Sequence, residues 1–318
     1  MKKILAVLLV GLLVLTGCGS KDKDKEPAAT TGQDVKIGSA VISTGKTAEA
    51  GEKDGSFETN IYYATVVMKD DKFVNVQIDV NQNKQTFKAD GTINAADIKG
   101  SKKVLGKDYG MVKNSQIKKE WFEQIAALEE WMVGKTLAEV KGIKTEAKDD
   151  AHPAVPTEAN LTSSVTISVE KYIEVVEKAV GNLVEVKNVA KVGNSSTAVT
   201  GKEGLELTTN VTAVALDTEG KVVYSFTDAA QSKGKIEAGK AEFTTKPLTK
   251  LELKEEYGMK EFGKATLEWY EQAKAFDEWA IGKKPADLKD ADVVSSVTIT
   301  PTGLVNGVKA AAERAVGI

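Results

Sequence analysis

The chain reads Glu120-Trp121-Phe122-Glu123-Gln124 at one place and Glu268-Trp269-Tyr270-Glu271-Gln272 at an offset of 148 residues. The flanking sequence repeats at the same offset, because Tyr109-Gly110-Met111 returns as Tyr257-Gly258-Met259. In all, 12 of the 27 positions from 109 to 135 are identical to their counterparts, which is more than two unrelated amphipathic helices would share. The sequence therefore predicts an internal duplication with two similar domains, residues 35–182 and 183–318.

Each copy has the pattern of an α+β domain, an antiparallel sheet with packed helices. Runs rich in β-branched and aromatic residues, 61–68 with 73–80 and 211–216 with 222–226, predict two hairpins. A helix is predicted to follow, with one apolar face and Gly134 as its stop signal; that face carries Ile117, Trp121, Ile125, Leu128 and Met132. The tryptophans, Trp121, Trp131, Trp269 and Trp279, are interpreted as core residues rather than a ligand cage.

The N-terminal sequence is typical of a bacterial lipoprotein. Residues 1–17 have a basic start, an apolar run and the lipobox Leu15-Thr16-Gly17-Cys18, which predicts a signal peptide and a lipid on Cys18. The apolar run is too short to cross a bilayer, and residues 18–34 are polar enough for a solvated tether. We expect a protein anchored by lipid to the extracytoplasmic face of the cell membrane.

Composition excludes several kinds of chemistry. The net charge of −3 comes without a basic stripe, so a nucleic-acid partner is not expected. Cys18 is the only cysteine and His152 the only histidine, which excludes Cys-ligated haem, iron-sulfur clusters, zinc hydrolysis and histidine triads. His152 lies in an insertion of the first copy, roughly residues 141–160, and is interpreted as an exposed loop residue.

Both copies end in a short run rich in hydroxyl groups, Ser163–Ser168 and Ser295–Thr300, here called the hydroxyl segments. Their alternation of Ser or Thr with Val or Ile predicts a half-buried strand in each copy. Such strands are commonly structural, but the repetition also makes them candidate ligand sites. Tyr109 and Tyr257 stand outside the helical periodicity, so they are candidates for a ligand surface or for tyrosines that cap a turn.

The second hydroxyl segment resembles a known modification motif. Asp292, two spacers, Ser295, two residues and Thr298 resemble the flavinylation motif of FMN-binding domains, which are found in sodium-pumping NADH:quinone oxidoreductases, Rnf complexes and PplA-type lipoproteins of Gram-positive bacteria. The resemblance implies that FMN is joined by a phosphoester to Thr298 and to Thr166, giving up to two flavins. It also implies phosphate contacts from neighbouring hydroxyls, those of Ser163, Ser164, Ser295 and Ser296.

Two departures from the family pattern accompany this resemblance. Ser-Val replaces the usual Gly-Ala before each threonine, which tightens the approach of the backbone to a phosphate. Asn160 stands in the first copy where the second has Asp292, which lowers the expected efficiency of flavin loading in the first domain.

The resemblance further implies a function and partners. An ApbE-type flavin transferase would attach FMN, a membrane quinone-linked donor would supply electrons, and extracellular acceptors such as ferric iron would receive them. The protein would then be an electron-transfer flavoprotein rather than a substrate-specific enzyme. The alternatives are a non-redox lipoprotein that binds a solute, wall polymer or partner protein, and an extracellular reductase of one organic substrate, which the lack of a third domain disfavours.

Overall fold

The structure is a computed structural model that describes residues 31–318. The predicted signal peptide, the lipidation site Cys18 and most of the tether lie outside the described residues. The protein is a mixed α/β structure with antiparallel sheets and several helices. Within residues 31–318, none of the helices combines the length and the apolar composition that a membrane crossing requires.

The first half consists of a β-meander followed by helices and a returning strand. In chain order its elements are β1 (Gln33–Ala48), β2 (Gly55–Lys69), β3 (Lys72–Phe87), α1 (Lys102–Leu105), α2 (Trp121–Met132), α3 (Leu137–Lys141), β4 (Thr145–Glu146), β5 (Val155–Pro156), α4 (Glu170–Val180) and β6 (Val184–Val189). The strands β3, β2, β1 and β6 form one sheet in that order. The strand β6, which the sequence assigns to the start of the second domain, thus pairs with β1 of the first.

The second half follows a similar order of elements, but it has one additional edge strand and lacks counterparts of α3, β4 and β5. Its elements are β7 (Lys191–Thr200), β8 (Leu205–Leu216), β9 (Val222–Glu237), β10 (Lys240–Phe243), α5 (Lys250–Leu253), α6 (Trp269–Ala280), α7 (Pro301–Glu313) and β11 (Val316–Gly317). The sheet order is β10, β9, β8, β7 and β11, so β11 closes this sheet as β6 closes the first.

Both predicted hairpins are confirmed. The strands β2 and β3 pair from Lys69 and Lys72 outward through a two-residue turn at Asp70 and Asp71, both with positive φ, as the right-handed twist of a hairpin favours. The strands β8 and β9 pair in the same antiparallel way. The predicted helix begins at Trp121, not at Ile117, because Glu120 is its N-cap and forms a capping box with Glu123.

The two sheets pack face to face, and each carries helices on its other face. Val66 of β2 belongs to the apolar cluster that contains α2 and α4, whereas its neighbour Val67 belongs to a cluster with Val192 and Ala213 of the second half. This part of β2 therefore has both faces buried, which explains the nearly continuous apolar run of residues 61–68. The layers are helix, sheet, sheet, helix, and polar bonds also cross the sheet interface, as from Gln77 Nε2 to the Val192 carbonyl oxygen at 2.7 Å.

Close contact between helix and sheet depends on a glycine in each half. A Cβ on Gly38 of β1 would lie 2.0 Å from the carbonyl oxygen of Ala179 in α4. A Cβ on Gly193 of β7 would lie 2.2 Å from that of Ala311 in α7. These glycines let α4 pack directly on β1 and α7 pack directly on β7. Both helices follow the hydroxyl segments.

The prediction that the hydroxyl segments are strands is wrong. Residues 163–168 and 295–300 form turns and irregular backbone outside any sheet, immediately before α4 and α7. Among residues 31–318 these segments pair with no strand, and a glutamine side chain accepts the Thr166 N–H instead. The predicted alternation of burial is nevertheless present in the first copy, where Val165, Ile167 and Val169 are buried.

Candidate functional site

The candidate acceptor threonine of the second half is held by a buried glutamine. Gln272 of α6 has no exposed surface, and its Oε1 accepts the backbone N–H groups of Thr298 at 2.6 Å and Ile299 at 3.0 Å. The hydroxyl of Thr298 donates to the same oxygen at 3.2 Å. One side-chain carbonyl thus fixes both the backbone of the loop and the direction of the threonine side chain.

The first half repeats this arrangement. Gln124 of α2 is also fully buried, and its Oε1 accepts the Thr166 N–H at 2.8 Å and the Thr166 hydroxyl at 3.2 Å. The two threonines that the family resemblance selects therefore occupy equivalent positions with equivalent partners. From the sequence, both glutamines were recognised only as part of the repeated helix motif. Their bonds to the threonine loops were not predicted.

The other end of each amide is bonded too, which assigns its orientation. Gln124 Nε2 donates to the Lys119 carbonyl oxygen at 3.3 Å, and Gln272 Nε2 donates to that of Leu267 at 3.0 Å. Because a carbonyl oxygen can only accept, the NH₂ group must face it and Oε1 must face the threonine.

The glutamate at the start of the repeated motif holds a second loop against the same helix. Glu120 Oε2 accepts the Met111 N–H at 2.7 Å, and Glu268 Oε2 accepts the Met259 N–H at 2.8 Å. Both glutamates are buried and serve as the helix N-cap. The repeated sequence therefore holds the Tyr-Gly-Met loop with its first residue and the threonine loop with its last.

The threonines are accessible while their anchors are not. Thr298 is exposed and Thr166 half-buried, whereas the glutamines behind them are inaccessible to solvent. The residues that precede them, Ser163, Ser295, Asn160 and Asp292, are exposed, and Ser164 and Ser296 are half-buried. Ser164 donates its hydroxyl to the Leu161 carbonyl oxygen at 3.2 Å, so this serine stabilises its own turn.

The two tyrosines lie at turns and carry a lysine on the ring face. Tyr109 and Tyr257 end short 3₁₀ helices, and Gly110 and Gly258 follow them with positive φ. Lys102 Nζ lies 4.7 Å from the Tyr109 ring centroid, and the matching Lys250 Nζ lies 4.5 Å from that of Tyr257. These contacts favour the interpretation as turn tyrosines, and Tyr109 lines a different cavity from Thr166.

Burial lowers the pKa of the lysine at the second tyrosine. Lys250 Nζ also lies 5.4 Å from the Trp269 ring centroid, and desolvation lowers the pKa of Lys250 to about 8. As expected, Trp121 and Trp269 are buried in the core. Trp131 and Trp279 are only half-buried, and the ammonium groups of Lys135 and Lys283 lie 4.6 and 4.7 Å from their ring centroids.

A small pocket opens beside Thr166. Its volume is about 190 Å³, and its lining includes Thr166, Met111, Ser115, Lys148 and His152. His152 is exposed, as the sequence predicts, but it faces the same pocket as the candidate acceptor. Sequence reasoning could not place it there, because 13 residues without regular periodicity separate His152 from Thr166.

The size of this pocket limits what it can hold. A pocket of 190 Å³ is smaller than the roughly 300–1,000 Å³ that encloses a whole small-molecule ligand, so it can accept a phosphate but not an entire flavin nucleotide. A ligand held only by such a pocket would bind weakly, and a bond to the Thr166 hydroxyl would retain it. In the described part of the chain, no group of three or more His, Cys, Asp or Glu residues could hold a metal ion.

Comparison with known proteins gives no match to this chain among family models, curated proteins or solved structures.

Proposed function

We propose that the protein is a lipid-anchored, extracytoplasmic electron carrier built from two duplicated FMN-binding-type domains, with FMN joined to Thr166 and Thr298. One observation carries this proposal. In both halves a fully buried glutamine presents an accessible threonine hydroxyl at the position that the motif resemblance selects. The same hydroxyl geometry at both threonines supports the same modification in each half.

The glutamine carbonyl prepares the hydroxyl for modification. Because the Thr298 proton points toward Gln272 Oε1, the lone pairs of Oγ1 are left for an attacking bond. In the proposed reaction this oxygen bonds to the FMN phosphorus of FAD, the pyrophosphate bond breaks, AMP leaves, and a base of the transferase takes the proton. Gln272 still accepts the two backbone N–H groups afterwards, so the loop remains held.

Bound FMN would supply the electron-accepting ring, which none of the side chains in this sequence provides. The exposure of Thr298 would place that group at the surface, where it could exchange electrons with a membrane quinone-linked donor and with extracellular acceptors such as ferric iron. Such a carrier needs no enclosed substrate site. The proposed ApbE-type transferase would supply the catalytic base and metal.

The test is peptide mass mapping with in-gel flavin fluorescence of protein co-produced with a flavin transferase. We expect one FMN-sized adduct on each peptide that contains Thr166 or Thr298. The Thr166→Ala and Thr298→Ala variants should each lose one adduct, whereas Thr162→Ala and Thr300→Ala, which remove exposed neighbouring hydroxyls, should lose none. Unchanged flavin content in the double variant Thr166→Ala/Thr298→Ala would contradict the proposal.

A second candidate function is non-redox binding of a solute, wall polymer or partner protein. A groove of about 780 Å³ favours it, since this volume lies within the usual range of ligand sites. Apolar side chains including Val35, Met68 and Leu137 line the groove, and charged residues surround them. Colourless protein with unmodified threonines from a transferase-positive host would favour this function over electron transfer.

A further inference from the structure

The insertion of the first half forms a small hairpin that the second half lacks. The strands β4 and β5 pair between Thr145 and Pro156, and their connection is closed by a bond of 2.9 Å from the Lys148 N–H to the His152 carbonyl oxygen. Within this turn, His152 Nδ1 lies 2.7 Å from Asp149 Oδ1, which also accepts the Ala151 N–H at 2.9 Å. The basic side chains of the turn, Lys148 and His152, therefore sit on an ordered scaffold.

Direct bonds hold this hairpin against the first hydroxyl segment. The Ala154 N–H donates to Ser168 Oγ at 3.0 Å, and the Val169 N–H donates to the Ala154 carbonyl oxygen at 3.0 Å. Val155 is buried, which anchors the hairpin in the domain. The hairpin thus stands at a fixed position beside Thr166 and supplies a wall of its pocket.

The pocket has a basic side suited to an anion. Lys148 has no salt-bridge partner among residues 31–318, whereas the carboxylate of Asp149 is engaged by His152 and a backbone N–H. Hydrogen bonding to His152 keeps the pKa of Asp149 below its usual value. A phosphodiester on Thr166 would carry one negative charge into this pocket, which Lys148 and His152 line together with the engaged carboxylate of Asp149.

We propose that Lys148 and His152 form an anion subsite that binds the phosphate of the nucleotide joined to Thr166. This inference rests on the proposed function and makes the two sites unequal, because the loop that precedes Thr298 has no such hairpin. The subsite also offers a reason why the first site could be loaded with Asn160 in place of the aspartate found at Asp292. At Thr166 the hairpin would supply contacts to the phosphate. The site at Thr298 has no hairpin and would need other residues for them.

The single histidine allows a test on unmodified protein. The imidazole resonance of His152 would be followed by NMR in the full chain, produced without a transferase, while FMN or inorganic phosphate is added at constant pH. We expect a saturable shift with both probes and none with riboflavin, which lacks the phosphate. The Lys148→Ala variant should bind FMN roughly tenfold more weakly, as expected on removing a charge-assisted contact.

Lys144 provides a matched control for Lys148. Lys144→Ala removes the same charge from the same hairpin but outside the pocket lining, and it should leave FMN binding unchanged. Equal shifts with riboflavin and FMN, or equal weakening by Lys144→Ala and Lys148→Ala, would overturn the subsite. The absence of any shift with FMN and phosphate would overturn it as well.

Flavin loading gives a second readout with a control inside the same molecule. In chain co-produced with a transferase, Lys148→Ala/His152→Ala should lower the FMN occupancy of Thr166 severalfold and leave that of Thr298 unchanged. Equal occupancy of Thr166 in variant and unaltered chain would refute the subsite while leaving the proposed function intact. No adduct on either threonine of the unaltered chain would refute the proposed function, and the inference would fall with it.

Discussion

Replacing Gln272 by leucine should release the Thr298 loop without collapsing the core. Leucine has a similar volume and suits a fully buried position, but it cannot accept the N–H groups of Thr298 and Ile299. A neutral hydrogen bond contributes about 1 kcal/mol net, so the two backbone bonds together contribute about 2 kcal/mol. The Thr298 hydroxyl is exposed and can bond to water instead, and it adds little to this sum.

The assay is hydrogen exchange of individual backbone amides. A loss of about 2 kcal/mol in local opening corresponds to roughly 30-fold faster exchange at Thr298 and Ile299. Gln124→Leu should have a smaller effect, about fivefold at Thr166, because in the first half only one backbone N–H is bonded to the glutamine. Gln116→Leu, at an exposed position, serves as the control. If Gln272→Leu left exchange at Thr298 and Ile299 unchanged, the glutamine would not hold this loop.

Two further substitutions test the anchors around the site and in the core. Glu120→Ala removes the carboxylate that caps α2 and accepts the Met111 N–H. It should lower the free energy of unfolding, measured in urea, by about 2 kcal/mol. Glu130→Ala, at an exposed position of the same helix, should leave this free energy unchanged. Burial raises the pKa of Asp228 to about 7. The folded state therefore binds more protons than the unfolded state between about pH 4 and 7. As the pH rises through this range, the free energy of unfolding falls by up to about 1.4 kcal/mol per pH unit. Asp228→Asn should reduce this fall without abolishing it, because burial also raises the pKa of Asp277, to about 6. If urea titrations gave the same dependence of the free energy of unfolding on pH for the variant and the unaltered chain, this assignment would be contradicted.

The sequence predicts the parts of the fold that depend on neighbours along the chain. The hairpin of β2 and β3 follows from two β-rich runs around a short polar turn, and its bounds extend those runs in both directions. The apolar face of α2 follows from the spacing of its residues, with only the start misplaced by the N-cap at Glu120. Both signals are local, and the physical cause of each is visible in a window of about ten residues.

The hydroxyl segments show where such local reasoning fails. Alternating burial is the same whether an extended segment pairs with a strand or lies on a helix, so Val165 and Ile167 alone cannot distinguish the two. The difference lies in the partner of the Thr166 N–H, and that partner is Gln124, 42 residues earlier. The position of His152 beside Thr166 likewise depends on bonds between the hairpin and Ser168 that no periodicity indicates.

The pattern of identity between the halves has a physical explanation in these contacts. Apolar residues of α2 differ from their counterparts in α6, as Ile125 differs from Ala273 and Leu128 from Phe276, because a core requires suitable total volume rather than one particular side chain. Glu120 and Gln124 recur unchanged because each must place an oxygen at a fixed point to accept particular backbone N–H groups. What the two halves share is therefore the geometry of two loops, and the common result of that geometry is an accessible threonine hydroxyl.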